Sequence, residues 1–204
     1  MTNIKSIVFD WGGVLIDQPT PGLIRYFIKH LNISDVQLLT AHRKYNDSFQ
    51  KGIIDESTYW KGICKELKIN PPREPSLWKR ALKHVYRERH NMFNLAFVLQ
   101  NNGYKTALLT NTEPPAMELF QDQHYDMFDV EVFSCAEGYR KPEHKIYEIT
   151  LKRLGCKPEE TLFIDDREEN IKAAVSLGIQ SIMYVNQRQI KAKLAPYVLK
   201  LAKK

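Results

Sequence analysis

Short apolar runs alternate with stretches of helical periodicity over most of the chain. Continuous apolar runs are typical of strands buried on both faces, whereas apolar residues spaced three and four apart indicate amphipathic helices. Strand-like runs occur at residues 7–9, 105–109, 130–133, 161–164 and 181–185. Because helical patterns separate the last four runs, we predict an α/β fold with a doubly wound parallel sheet covered by helices on both faces.

The long segment between the first two strand-like runs has no strand pattern. From about residue 18 to 88 the apolar positions repeat with helical spacing, and Ser34 is a favoured N-cap residue for one of the helices. We therefore predict a helical insertion, residues 17–89, after the first strand. Residues 1–16 and 90–204 would form the core domain.

Composition limits the class of protein. The chain has 204 residues, with hydrophobic and charged fractions of 43% and 26%, as in ordinary globular proteins. A net charge of +6 is compatible with anionic substrates and too small to indicate nucleic acid. The N-terminus lacks a signal-peptide pattern and no stretch approaches about 18 apolar residues, so we expect a cytoplasmic protein without membrane partners.

Polar groups follow three of the predicted strands. They are Asp10, the pair Thr110 and Asn111, and the pair Asp165 and Asp166. Because the carboxyl ends of parallel strands share one edge of the sheet, we expect these groups to meet there. Converging carboxylates repel each other unless a cation lies between them, and hard oxygen ligands suit Mg²⁺. A hydroxyl and an amide suit the oxygens of a phosphoryl group.

Four segments resemble the sequence motifs of the haloacid dehalogenase-like hydrolase superfamily. They are FDWGGV (9–14), LLTN (108–111), GYRKP (138–142) and FIDDREEN (163–170). The resemblance covers essentially the whole chain, and its first motif is similar to a subgroup that includes sugar-phosphate phosphatases. It implies a Rossmann-like sheet of order 5-4-1-2-3 and identifies the helical insertion with a small cap domain that covers the site.

The resemblance also implies an activity and the residues that carry it. Asp10 would be the nucleophile and Lys141 the lysine that neutralises its charge and that of phosphate. Thr110, Asn111 and Lys141 would bind the phosphate. The implied reaction is hydrolysis of a small phosphomonoester, such as a sugar phosphate, through an aspartyl-phosphate. The partner would be that phosphorylated small molecule, and the protein would be a monomer or a homodimer.

The implied cofactor is Mg²⁺. Its ligands would be Asp10, the backbone carbonyl of Gly12, Asp165 and Asp166. Asn170 would support these ligands from one helical turn further along. Mg²⁺ between the nucleophile and a phosphoryl oxygen would reduce the repulsion between two negative groups.

One position departs from the family pattern. Phosphatases of this superfamily usually carry an aspartate, the general acid–base, where this chain has Gly12. Loss of such a group typically costs about 10²–10⁴ in rate. We therefore expect a preference for sugar 1-phosphates, acyl phosphates and aryl phosphates, whose leaving groups need little protonation. Alternatively, His42, Lys44 or Tyr45 in the insertion supplies the proton.

Two other functions remain open from the sequence. The first is a non-catalytic module that binds Mg²⁺ and phosphate, or a protein partner, without turnover. The second is a dehalogenase of the same fold that uses Asp10 on a carbon–halogen bond. That chemistry needs no metal, and the pair Asp165 and Asp166 argues against it.

Overall fold

A five-stranded parallel sheet forms the centre of the computed structural model, which describes the backbone of residues 4–199. Its strands are β1 (Ser6–Phe9), β2 (Lys105–Thr110), β3 (Val130–Phe133), β4 (Thr161–Asp165) and β5 (Gln180–Met183). The observed order β3-β2-β1-β4-β5 is the predicted order 5-4-1-2-3 counted from the opposite edge. The predicted fold class is therefore confirmed, with β1 in the middle of the sheet.

Ten α-helices accompany the sheet within the described residues. Four of them follow β1 directly: α1 (Thr20–Leu31), α2 (Asp35–Gln50), α3 (Glu56–Leu67) and α4 (Leu77–Val85). The other six are α5 (His90–Asn101), α6 (Pro114–Gln121), α7 (Ser134–Glu137), α8 (His144–Leu154), α9 (Glu168–Ser176) and α10 (Gln187–Leu199). Helices that can cross a membrane are absent from this part of the chain, because none is long and apolar enough.

The sheet is buried on both faces. Along β1, Ile7 and Phe9 join an apolar cluster with residues of α5, α6 and α10, while Val8 joins a second cluster with residues of α8 and α9. Side chains alternate between the faces of a strand, so each face of β1 needs apolar residues. This two-sided burial explains the continuous apolar run that predicts β1.

An aromatic cluster packs the four helices after β1 against one another. Phe49 stacks on Tyr59, with ring centroids 4.5 Å apart, and the edge of Trp78 meets Phe49 at 5.2 Å. Ser34 caps α2 as predicted: its hydroxyl accepts from the Gln37 amide, and the Gln37 side chain accepts from the Ser34 amide. The four helices thus share one core, which is continuous with the first apolar cluster of the sheet.

The two chain segments that connect these helices to the sheet pair with each other. Ile16 forms an antiparallel bridge with Glu88, and the Arg89 amide donates to the Leu15 carbonyl at 2.8 Å. The Arg89 guanidinium also binds the Asp17 carboxylate, at 3.0 Å, and the Gly13 carbonyl. Arg89 therefore ties both connections to the loop that follows β1.

Phe49→Ala tests the importance of the aromatic cluster. Phe49 is completely buried, so we expect the free energy of unfolding to fall by about 3–5 kcal/mol, as for other large core truncations. Val36→Ala on the same helix is the matched control, because Val36 is 69% exposed. It should change the value by no more than about 0.5 kcal/mol. Urea denaturation followed by tryptophan fluorescence measures both, and equal small effects would contradict the packing described.

Candidate active site

A buried lysine joins the ends of two neighbouring strands. Asp10 directly follows β1, and Asp165 is the last residue of β4. The Lys141 ammonium lies 2.7 Å from Asp10 Oδ1, 2.7 Å from Asp165 Oδ2 and 2.8 Å from the carbonyl oxygen of Leu109. Each of its three protons therefore has an acceptor. The structure thus brings together Asp10, Lys141 and Asp165, which lie far apart in the sequence.

The loop that carries Lys141 is held by Asn111. The Lys141 amide donates to Asn111 Oδ1 and the Asn111 side-chain amide donates to the Lys141 carbonyl, both at 2.8 Å. The resemblance assigns Asn111 to phosphate, but its side chain has this positioning contact in the structure. Binding of phosphate by Asn111 stays a prediction. Thr110, which precedes it, is buried and lines the same cavity as Asp10.

Asp165 is fixed by the start of α9 as well as by Lys141. Its carboxylate accepts from the Asn170 side-chain amide, 3.0 Å from both oxygens, and from the Arg167 amide at 2.8 Å. Asn170 lies in the first turn of α9, one helical turn beyond the acidic pair, as the sequence predicts. With these partners, Asp165 is a rigidly positioned carboxylate.

The acidic groups fit a divalent cation. Asp10, Asp165 and Asp166 each offer a carboxylate oxygen within 4.8 Å of the others. Among the described residues, Asp166 Oδ1 is buried without a hydrogen-bond partner, and no hydrogen bond to the Gly12 carbonyl is found. Gly13 has φ +92°, and a Cβ there would collide with the Asp166 carboxylate. A donor set of hard oxygens is the kind that Mg²⁺ prefers.

Burial and mutual charge dominate the electrostatics of this cluster. Burial raises the pKa of Asp10 to about 7; the Lys141 charge opposes this shift, and Asp165 adds to it. Burial also raises the pKa of Asp166, and Asp165 raises it further. Burial by itself would lower the pKa of Lys141, but Asp10 and Asp165 outweigh it, so the pKa is raised. Positive charge at this edge of the sheet is therefore stabilised, and additional positive charge would favour ionised Asp10.

A cavity of about 270 Å³ lies over Asp10, between the sheet edge and the helices that follow β1. Its walls include apolar side chains of α1, α2 and α4, such as Leu23, Phe27, Leu38, Trp78 and Leu82. A polar stripe on α2 faces the same space at four-residue spacing: His42, Asn46 and Gln50. Glu113 and Arg140 also line the cavity. The reactive edge of the sheet thus opens onto a space that is part apolar and part polar.

The three alternative proton donors have different positions. Of these, His42 lines the cavity, with Nδ1 2.7 Å from the Tyr59 hydroxyl, and burial followed by the charge of Arg140 lowers its pKa. Lys44 and Tyr45 are directed to Glu66, at 2.6 and 3.5 Å, and are not among the lining residues. The structure therefore leaves His42 as the one member of this group that faces the site.

Several cavity residues are not anticipated by the sequence analysis. Asn46 and Gln50 extend the spacing of His42 along α2, so a search for polar residues at four-residue intervals would have found them. Glu113 carries no such signal, because an acidic residue at the start of a helix is explained by the favourable charge interaction with the helix N-terminus.

Comparisons with known proteins place the chain in a family. The family model for haloacid dehalogenase-like hydrolases matches residues 4–178. The D-ribitol-5-phosphate phosphatase of Bacteroides thetaiotaomicron is 30% identical over 201 residues, covering 90% of this chain and 93% of that protein. Mouse acyl-CoA dehydrogenase family member 10 is 29% identical over 188 residues, which are 87% of this chain but 18% of that protein.

Solved structures agree on the fold. A family enzyme from Bacteroides thetaiotaomicron has a TM-score of 0.82 at 24% identity, with 94% of this chain and 98% of that chain covered. The same enzyme in complex with magnesium and inorganic phosphate has a TM-score of 0.73, covering 90% and 95% of the two chains. The chain described here belongs to the haloacid dehalogenase-like hydrolase family and is a hydrolase of that fold.

Lys141→Met tests the central charge cluster. Removal of the ammonium leaves Asp10 and Asp165 buried without their cation, so we expect the free energy of unfolding at pH 7 in EDTA to fall by about 3–5 kcal/mol. The loss should shrink as the pH falls, because burial raises the pKa of Asp10 to about 7 and protonation of Asp10 removes part of the uncompensated charge. Lys172→Met, which breaks an exposed pair with Glu168, is the matched control and should have little effect. Equal losses in the two variants, measured by urea denaturation, would contradict this account.

Proposed function

We propose that this protein is a Mg²⁺-dependent phosphatase that hydrolyses a small phosphomonoester, such as a sugar or polyol phosphate, through an aspartyl-phosphate at Asp10. The observation that carries the proposal is the placement of Lys141 between Asp10 and Asp165, beneath a cavity and beside a third carboxylate at Asp166. The magnesium and phosphate complex of the similar structure supports this assignment. The sequence similarity to the D-ribitol-5-phosphate phosphatase supports it as well.

The proposed chemistry begins at the Asp10 carboxylate. Lys141 holds Oδ1, so the other oxygen, Oδ2, is left for attack on phosphorus along the line opposite the ester oxygen. Mg²⁺, held by Asp10, the Gly12 carbonyl, Asp165 and Asp166, would reduce the negative charge that opposes this approach. Thr110 offers a hydroxyl to a phosphoryl oxygen, and the Lys141 charge stabilises the developing aspartyl-phosphate.

The polar stripe supports a hydroxylated substrate. Asn46 Oδ1, Gln50 Oε1 and Arg140 Nε are buried without a hydrogen-bond partner among the described residues, and all three side chains line the cavity. Two unpartnered acceptors and one donor match the hydroxyl groups of a sugar or a polyol. The apolar wall would then contact the carbon chain. We propose that residues 17–89 form a cap domain that selects the substrate through these contacts.

The two alternatives differ from this proposal in different properties: the dehalogenase needs no metal, and the non-catalytic module has no turnover. Three carboxylates within 4.8 Å of one another favour a reaction that uses Mg²⁺ over the metal-independent reaction of a dehalogenase. A non-catalytic module would keep the same groups and bind phosphate without releasing product. Turnover itself distinguishes these cases.

Asp10→Asn tests the proposed activity. Wild-type protein should release phosphate from a panel of sugar, polyol, aryl and alkyl phosphates when Mg²⁺ is present and not in EDTA. The variant should lose more than about 10³-fold in kcat, because it lacks the nucleophile. Asp126→Asn, at an exposed aspartate remote in sequence from the motifs, is the control and should keep full activity.

Absence of turnover by wild-type protein on the whole panel, with Mg²⁺ and inorganic phosphate still bound in calorimetry, would favour the non-catalytic module. Metal-independent release of halide from a 2-haloacid would favour the dehalogenase.

Asn46→Leu tests the role of the polar stripe. With ribitol 5-phosphate as the probe, we expect KM to rise by about tenfold, since a substrate hydroxyl loses its acceptor. With 4-nitrophenyl phosphate, which has no such hydroxyl, KM should be unchanged. Arg43→Leu alters an exposed residue of the same helix and should affect neither substrate. The same rise in KM for both substrates would show that the variant distorts the site instead of removing a hydroxyl contact.

A further inference from the structure

Gly12 leaves the proposed reaction without the usual proton donor for its leaving group. A Cβ at this position would make a tight contact with Pro19 Cδ, at 3.3 Å, and an ordinary contact with Gln18 Oε1, at 3.8 Å. Because glycine has no side chain that could hold a proton, the proton must come from another group that faces the cavity.

Most of the ionisable residues of the cavity are unsuited to hold and release a proton near pH 7. Asp10 and Lys141 are paired with each other. Burial lowers the pKa of His42, so its imidazole is neutral near pH 7, and burial raises the pKa of Tyr59 well above its usual value, so its hydroxyl is a weak acid. The remaining residues are two arginines, Arg140 and Arg167, and Glu113. An arginine does not give up its proton in proteins, so Glu113 is left.

Glu113 lies beside the predicted phosphate-binding loop. It comes three residues after Thr110, immediately before α6, and its side chain lines the cavity together with Asp10 and Thr110. Only 8% of the residue is exposed. Gln50 Nε2 on α2 donates to Glu113 Oε1 at 2.9 Å, and none of the ion pairs within the described part of the chain includes Glu113. It is thus a buried carboxyl group that a neutral amide orients.

Burial is the strongest influence on the Glu113 carboxyl group and raises its pKa. The hydrogen bond from Gln50, the Glu113 backbone amide, the charge of Arg140 from the loop before α8, and Trp78 on α4 oppose that rise without cancelling it. Tyr59 on α3 and Cys135 on α7 also face it; burial raises the pKa of Cys135 to about 12, so both groups stay neutral near pH 7. A carboxyl group in such surroundings keeps its proton more readily than an exposed glutamate.

We propose that Glu113 is the general acid–base of the reaction and takes the place of the aspartate that Gly12 lacks. This inference rests on the proposed phosphatase function. In the first step Asp10 forms a bond to phosphorus, the bond from phosphorus to the ester oxygen breaks, and that oxygen takes the proton of Glu113. The products are the free alcohol, the aspartyl-phosphate and the Glu113 carboxylate.

In the second step water attacks the phosphorus and gives a proton to the Glu113 carboxylate. The bond from phosphorus to Asp10 breaks, its electron pair returns to the aspartate, and inorganic phosphate is released. Both side chains regain their starting states, so the net reaction is ester plus water to alcohol plus phosphate. An internal donor of this kind removes the preference for easily expelled leaving groups that Gly12 alone predicts.

Glu113→Gln tests the assignment with a series of phosphomonoesters whose leaving groups range from 4-nitrophenol to simple alcohols. In wild-type protein we expect kcat/KM to depend weakly on the leaving-group pKa. In the variant, kcat/KM for alkyl phosphates should fall about 10²-fold or more, whereas kcat/KM for 4-nitrophenyl phosphate should change little, because its leaving group needs no proton. The comparison uses kcat/KM because this ratio reports the step in which the leaving group departs and not the later hydrolysis that all substrates share. The fall in wild-type kcat/KM for alkyl phosphates at high pH should also disappear in the variant.

Two further variants complete the experiment. Glu113→Asp keeps a carboxyl group and should recover part of the alkyl activity. Glu118→Gln, at an exposed glutamate of α6, is the matched control and should leave the leaving-group dependence unchanged. If the Gln variant does not fold, as judged by thermal unfolding, the wild-type pH profiles with alkyl and aryl substrates decide, since only the alkyl profile should fall at high pH.

An equal fall in kcat/KM for all leaving groups in Glu113→Gln, or no fall, would overturn the assignment and leave Glu113 as a structural partner of Gln50. Metal-dependent turnover by the wild-type protein separates this outcome from failure of the proposed function. In that case the phosphatase stands, and only the identity of the proton donor is wrong.

Discussion

The three-way contact of Lys141 with Asp10, Asp165 and the Leu109 carbonyl is the constraint on which the rest of the site depends. Buried charges are strongly unfavourable alone, and each member of this cluster is tolerated because the others neutralise it. The contact requires β1 and β4 to be neighbours, which the sheet order provides. It also requires the Lys141 loop to approach the sheet closely, and the paired hydrogen bonds from Asn111 hold the loop there.

The site divides its tasks between the sheet and the helices that follow β1. In the proposed reaction, the sheet edge supplies the groups that react with or bind the phosphoryl group, and strand ends and short loops position these groups. The helices supply the apolar wall and the polar stripe of His42, Asn46 and Gln50, which line the cavity and would face the organic part of a substrate. The hydrogen bond from Gln50 to Glu113 joins the two regions. In our proposal, the helix that recognises the substrate therefore also orients the proton donor.

The sequence predicts the sheet well because the physical signals there are local. A two-sided buried strand needs a continuous apolar run, and the residues Asp10, Thr110 and Asp165 come directly at strand ends. The same holds for the start of α2, where Ser34 and Gln37 form a cap within four residues. The contacts of Glu113, Asn111 and Arg89 could not be predicted in this way. Each of them joins segments that are distant along the chain, and neither periodicity nor local propensity reports which distant partner a polar side chain will meet.

The proposed reaction requires Asp10 to accept the phosphoryl group before water does. The stereochemistry at phosphorus tests this most directly, with a phosphomonoester or phosphorothioate made chiral by oxygen isotopes and hydrolysed in isotopically labelled water. Each in-line displacement inverts the configuration at phosphorus. Two successive displacements, first by Asp10 and then by water, predict overall retention. Overall inversion would show a single direct attack by water, without an aspartyl-phosphate at Asp10.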